Sequence, residues 1–193
     1  MNSYPLHNNI ISRHQHGFLN CKSTSTQSLD CKLDWNIALN IHISLDIIYL
    51  HYAKAFDYVV HSKLLTKHAC YGINHMVIVW IKCFLSNRSQ FVKVGHCSSS
   101  PCDVLSGVPQ GSVLGPVLFV LFVNDICNIV PSGVNLKLFA DDVKLYSVIN
   151  STVTPNSLQA CLSAIHDWSE HWQLKLSPAK CTVLHVSPHA LYD

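Results

Sequence analysis

Two adjacent acids, Asp141 and Asp142, stand between stretches that alternate apolar and polar with period two. Leu136-Lys137-Leu138 precedes them and Val143-Lys144-Leu145-Tyr146 follows. Such alternation marks half-buried strands, so the chain is predicted to fold back here as a β-hairpin with both carboxylates at its tip. Like charges this close repel, and a cation between them removes the cost. Hard divalent ions prefer carboxylate oxygen, and Mg²⁺ commonly takes one or two protein carboxylates together with substrate phosphates. The pair taken alone also suits an ordinary solvated turn.

The rest of the chain predicts an α+β protein. At 193 residues it is long enough for one domain with a core, and 49% hydrophobic against 12% charged residues excludes a disordered chain. Leu45 to Leu50 suits a buried strand. His61 to Leu85 reads as helix broken at Tyr71-Gly72-Ile73-Asn74. Gln90 to Val94 and Val104-Leu105 read as strands joined by the turn at Ser98 to Pro101, and Pro116 to Val130 as helix. Thr154 and Pro155 signal another helix start. Leu158, Leu162, Ile165, Trp168 and Trp172 then form one apolar stripe, and Thr182 to Val186 reads as a last strand. Residues 1–35 show little periodicity. Asp103 and Asp125 read as a loop acid and a helix-surface acid. The expected architecture is an antiparallel sheet with helices on one face.

Composition narrows the function classes less. A net charge of +2 is not the strong basic footprint of most nucleic-acid binders. Nine cysteines with no CxxC read as small buried hydrophobes in a reducing compartment, and 13 scattered histidines show no zinc spacing. Residues 1–15 have no apolar signal core, and Val113 to Val123 is too short to span a bilayer. An intracellular location, no membrane association and no protein partner are expected.

Further motifs surround the acid pair in order. They are His16-Gly17-Phe18 with Lys22-Ser23-Thr24, then Lys54-Ala55-Phe56-Asp57 with His61. Ser106-Gly107-Val108-Pro109-Gln110-Gly111 follows, running on to Gly115-Pro116. Phe139-Ala140-Asp141-Asp142 comes next, and then Trp168, Trp172 and Lys180-Cys181. In this order and spacing the chain resembles the reverse transcriptase domain of non-LTR retrotransposons, of the LINE and jockey-like kind. An RNA-templated RNA polymerase usually shows Gly before the acid pair. Ala140 with Pro109-Gln110-Gly111 favours the reverse transcriptase.

The resemblance implies a polymerase palm with partial fingers and no thumb. It makes 1–35 the fingers-to-palm approach and 36–193 the palm, with a fingers-side insertion around 62–105. No endonuclease domain, triphosphate-gripping fingers segment or primer grip is expected. It also implies RNA-directed DNA synthesis with Mg²⁺, an RNA template, a DNA primer and dNTP. Asp141 and Asp142 would hold metal, and Lys180 would act as general acid towards pyrophosphate. Phe56 would lie under the incoming sugar, and Gln110 and Gly111 against nucleotide and template. Without the family, Phe56 reads equally as core and Lys180 as a surface lysine.

The family pattern places a third metal-binding Asp at position 51, where this chain has His51. Imidazole is a poor ligand for Mg²⁺. The departure therefore implies weakened metal binding and a copy with weak or no activity. His51 otherwise reads as a solvated strand end or as part of a site retuned to a softer ion. Tyr58, Val60 and Ser177 also depart from the pattern. The alternative function is a non-catalytic palm scaffold that binds RNA or a partner.

Overall fold

A computed structural model describes residues 10–149 and 156–188. Its centre is a four-stranded antiparallel sheet in the order β6-β7-β1-β8, built from β1 (Leu45–His51), β6 (Asn135–Phe139), β7 (Asp142–Val148) and β8 (Thr182–Val186). β1 lies between β7 and β8. Its alternate side chains enter two separate cores, which is why Leu45 to Leu50 is almost continuously apolar. Ile48 and Leu50 join the larger core and Leu45 and Ile47 the smaller.

The larger core lies under α3 (His61–Cys70), α4 (His75–Leu85), α5 (Leu114–Val123) and α6 (Asn156–Trp172). These helices contribute Leu64, Ile81, Phe119, Phe122, Ile165 and Trp168. Each such side chain taken fully from water contributes roughly 1.5–3 kcal/mol. Trp168 is buried and Trp172 packs half-buried against the same core, as the α6 stripe predicts. Thr154 and Pro155, the predicted start of that helix, lie outside the described residues.

Several expectations need correction. Helices do not occupy one face alone, because α1 (Thr24–Asn40) covers part of the other with Cys31 and Ala38 against Leu45, Ile47 and Tyr146. Ser23 caps this helix, which falls in a region without apolar periodicity. Its buried positions are Gln27, Cys31 and Ala38, while Leu29, Leu33 and Ile37 face outward. The strand expected at Val104-Leu105 lies instead at β5 (Cys102–Asp103), pairing with β2 (Ser89–Gln90). β3 (Lys93–Val94) and β4 (Cys97–Ser98) pair beyond them. The helix expected to Val130 changes after Val123 into a 3₁₀ segment, Asn124–Ile129.

Asp125 is not a surface acid. Its Oδ1 accepts from Lys67 Nζ at 2.5 Å and from Trp168 Nε1 at 3.1 Å. Lys67 also donates to the Phe122 carbonyl at 2.8 Å, and its ammonium lies 3.9 Å from the centroid of the Trp172 ring. Among the described residues, no helix is long and apolar enough to cross a membrane.

Candidate active site

The hairpin forms as predicted. Phe139 pairs with Asp142, leaving Ala140 and Asp141 as a two-residue loop, and Ala140 takes a left-handed φ of 54°. Short hairpin loops favour positive φ at their first central position because it matches the strand twist. The next pairing sets the site. Asp142 lies opposite His51 across β7 and β1, so the end of the central strand meets the acid pair. One donor atom each from His51, Asp141 and Asp142 fall within 4.8 Å of one another.

His51 Nδ1 lies 2.8 Å from Asp142 Oδ1, and Nε2 lies 4.0 Å from Asp141 Oδ2. Side-chain exposure is 28% for His51, 26% for Asp141 and 65% for Asp142. Asp141 is therefore the more enclosed acid. Burial pushes its pKa up, and Asp142 adds to the rise. Its own backbone hydrogen bond, His51 and Lys180 act in the opposite sense. Lys180 reaches this end because Ser177 N–H donates to the His51 carbonyl at 2.8 Å, setting the turn Pro178–Lys180 beside β1.

A residue that the sequence did not single out holds the loop. Gln15 is fully buried, and its Oε1 accepts from Ala140 N–H at 3.0 Å and Gly17 N–H at 2.7 Å. His16 N–H donates to the Leu138 carbonyl, and Leu138 N–H to the His14 carbonyl, which lays this segment along β6. Gly17 must be glycine here, since a Cβ would come within 2.5 Å of Ala140 N. The long-range pairing with β6 reveals Gln15, since the motif beside it begins at His16.

The remaining predicted site residues form a second group. Phe56 lies in a short turn, α2 (Ala55–Tyr58), and stacks on Phe119 with centroids 4.2 Å apart, with Phe18 edge-on. Gln110 Nε2 donates to Asp57 Oδ1 at 2.8 Å, Ser106 Oγ donates to the Asp57 carbonyl, and His61 Nε2 donates to the Gly107 carbonyl. A Cβ on Gly107 would meet the Phe56 and Asp57 carbonyls at 2.7 Å, so the two motifs interlock only through glycine. Gly111, with φ of 78°, has no atom within 4 Å of where a Cβ would stand. Lys54, Asp57, Arg88, Asp103 and Gln110 line a cleft of about 770 Å³. The structure thus joins His51, Asp141, Asp142 and Lys180 at the sheet end, and Gln110 with Asp57 beside the cleft.

Residues 2–191 match the family described as reverse transcriptase (RNA-dependent DNA polymerase). The chain belongs to the reverse transcriptase family. It is 34% identical over 140 residues to the RNA-directed DNA polymerase from mobile element jockey of Drosophila melanogaster, covering 69% of this chain and 15% of that protein. It is 30% identical over 184 residues to the probable RNA-directed DNA polymerase from transposon BS of the same species, covering 89% of this chain and 20% of that protein. The chain thus spans at most about a fifth of these relatives. Its fold is similar to that of telomerase from Candida tropicalis truncated from the C-terminal domain. The TM-score is 0.69 at 13% identity, with 90% of this chain and 36% of that one covered.

His51, the third donor beside Asp141 and Asp142, does not fit the Mg²⁺ implied by the reverse transcriptase family. Mg²⁺ demands oxygen donors in near-octahedral order. Here the central strand supplies a ring nitrogen, and that ring engages an oxygen of Asp142 at 2.8 Å. The donor set suits a cation that accepts imidazole.

Proposed function

We propose that this chain is a reverse transcriptase palm of the non-LTR retrotransposon kind whose Mg²⁺-dependent DNA synthesis is weak or lost. In this reading the ancestral reaction is RNA-directed DNA synthesis on an RNA template with a DNA primer and dNTP. Residues 1–35 are the approach from the fingers, 36–193 the palm, and 62–105 a fingers-side insertion. Asp141 and Asp142 are the acid pair of the metal site, and Lys180 is the proton donor towards pyrophosphate. Phe56 bounds the sugar, and Gln110 and Gly111 lie along template and nucleotide. The relatives' names support the reaction class, and the charge that Lys180 exerts on Asp141 supports its assignment.

The observation that carries the loss of function is the pairing of His51 with Asp142 at the sheet end. Removing one electrostatic stabiliser of a transferring group costs on the order of 3–4 kcal/mol, or hundreds-fold in rate. Losing a carboxylate of the metal site is expected to cost at least as much. Primer extension on an RNA template with Mg²⁺ tests the reading. The unmodified chain is expected to give no product. Robust extension that Asp141→Ala abolishes would overturn it.

A second reading, a palm scaffold that binds RNA or a partner without catalysis, draws on one observation. Leu29, Leu33 and Ile37 stand outward at successive turns of α1.

A further inference from the structure

We propose that His51 Nε2 and the Asp141 carboxylate form a binding site for a first-row divalent cation, with Asp142 as the positioning residue that orients the imidazole. This rests on reading the sheet end as a polymerase palm site. It goes further in giving that site a different cation and a different division of labour between its two acids.

The geometry carries the assignment. His51 and Asp142 are opposed in the sheet, and Nδ1 lies 2.8 Å from Asp142 Oδ1. A carboxylate can only accept, so Nδ1 carries the hydrogen, and in the neutral ring that binds a metal Nε2 presents its lone pair. Histidines that ligate metals almost always donate their other ring N–H to a carboxylate or carbonyl in this way, which fixes the tautomer and raises ligand basicity. Nε2 then stands 4.0 Å from Asp141 Oδ2. Metal–nitrogen and metal–oxygen bonds of roughly 2.0–2.2 Å span such a gap through one ion. The loop that carries Asp141 is braced from behind, since Gln15 accepts from the preceding Ala140 N–H.

The donor chemistry selects the ion. Imidazole suits first-row transition ions, whereas Mg²⁺ takes oxygen and sheds its waters reluctantly. Mn²⁺ is the appropriate probe, because it keeps the oxygen preference of a carboxylate site while accepting nitrogen. Zn²⁺ would also be drawn to thiolates, and the chain has free cysteines, five of them exposed.

The test is Mn²⁺ binding to the full chain without nucleic acid, followed by electron paramagnetic resonance of the free ion. Broadening of the His51 ring signals, assigned by their loss in His51→Ala, supplies a local readout. One Mn²⁺ is expected to bind at least roughly tenfold tighter than Mg²⁺ and to broaden those signals. Asp141→Asn and His51→Ala are expected to abolish the site. Asp142→Asn, which keeps an oxygen acceptor for the ring, is expected to weaken it by no more than about tenfold. His51→Asp is expected to bring Mg²⁺ affinity up towards that of Mn²⁺.

Unbroadened His51 signals at saturating Mn²⁺, or Mn²⁺ binding unchanged in Asp141→Asn, would overturn the proposal. If His51→Asp gains Mg²⁺ but the unmodified chain takes no Mn²⁺, the cation inference alone fails. If His51→Asp binds neither ion, the palm reading itself fails.

Discussion

Lys67 and Asp125 form an ion pair that the fold has closed off, whereas His51 and Asp142 form a hydrogen-bonded pair that it has left open. The Lys67 side chain is 4% exposed, and its ammonium is enclosed by Asp125, the Phe122 carbonyl and the rings of Trp168 and Trp172. Asp125 is tied in turn to Trp168. At the sheet end, 65% of the Asp142 side chain is exposed and Nε2 of His51 faces Asp141 across 4.0 Å. A nitrogen donating to a carboxylate is common to both. What separates a strut from a site is whether the donors are used up inside the fold or left facing a space that a ligand can enter.

The largest expected effect strikes the closed pair. Asp125→Ala leaves a buried ammonium without its partner and is expected to cost about 3–5 kcal/mol of folding stability. Asp142→Ala at the open pair should cost no more than about 1 kcal/mol. Urea denaturation of both variants measures the contrast, and equal losses would break it.

Acid supplies the next effect. Burial pushes the His68 pKa from the usual 6.5 down to about 4, with its bond to the Leu64 carbonyl opposing. The unfolded chain therefore binds more protons than the folded one between these values. Stability that His68 contributes above pH 6.5 is lost as pH falls through about 4. The full loss is on the order of 3 kcal/mol. His68→Asn should flatten this part of a stability profile measured between pH 7 and pH 4.

Lys67 acts on the alkaline side. Burial pushes its pKa down to about 8, with Asp125 opposing the shift. The unfolded chain again holds the extra proton above that value, so this residue adds stability as pH rises from about 8. The gain approaches 1.4 kcal/mol per pH unit. Lys67→Met should remove the slope between pH 8 and pH 9. The buried thiols of Cys31 and Cys161 and the half-buried thiol of Cys127, with raised pKa values, pull the other way above that.

A smaller effect separates two glutamines. Gln15→Ala strands the N–H groups of Ala140 and Gly17 and is expected to cost about 1–3 kcal/mol. Gln110→Ala, at an exposed hydrogen bond, should stay within about 0.5 kcal/mol. A metal-affinity loss in Gln15→Ala alone would show that the buried amide also serves the loop.

The open pair was legible in the sequence because both of its parts carry local signals, a period-two hairpin and an apolar strand ending at His51. The closed pair was not. Asp125 sits in a helical run, and nothing near it in sequence announces Lys67, which reaches it only through the packing of α3 against α5. Gln15 escaped for the same reason, since its partner Ala140 lies on another element. α1 was missed because hydrophobic pattern reports a buried face only when that face is apolar. Here Gln27, Cys31 and Ala38 point inward while Leu29, Leu33 and Ile37 point out.

The most direct test of the account is a calorimetric Mg²⁺ titration of the unmodified chain beside His51→Asp. Restoring a carboxylate opposite Asp142 is expected to tighten Mg²⁺ binding by at least roughly tenfold, with the unmodified chain showing little heat. Equal, tight Mg²⁺ binding by both proteins would contradict the claim that His51 is what keeps this palm from holding the ion of its family.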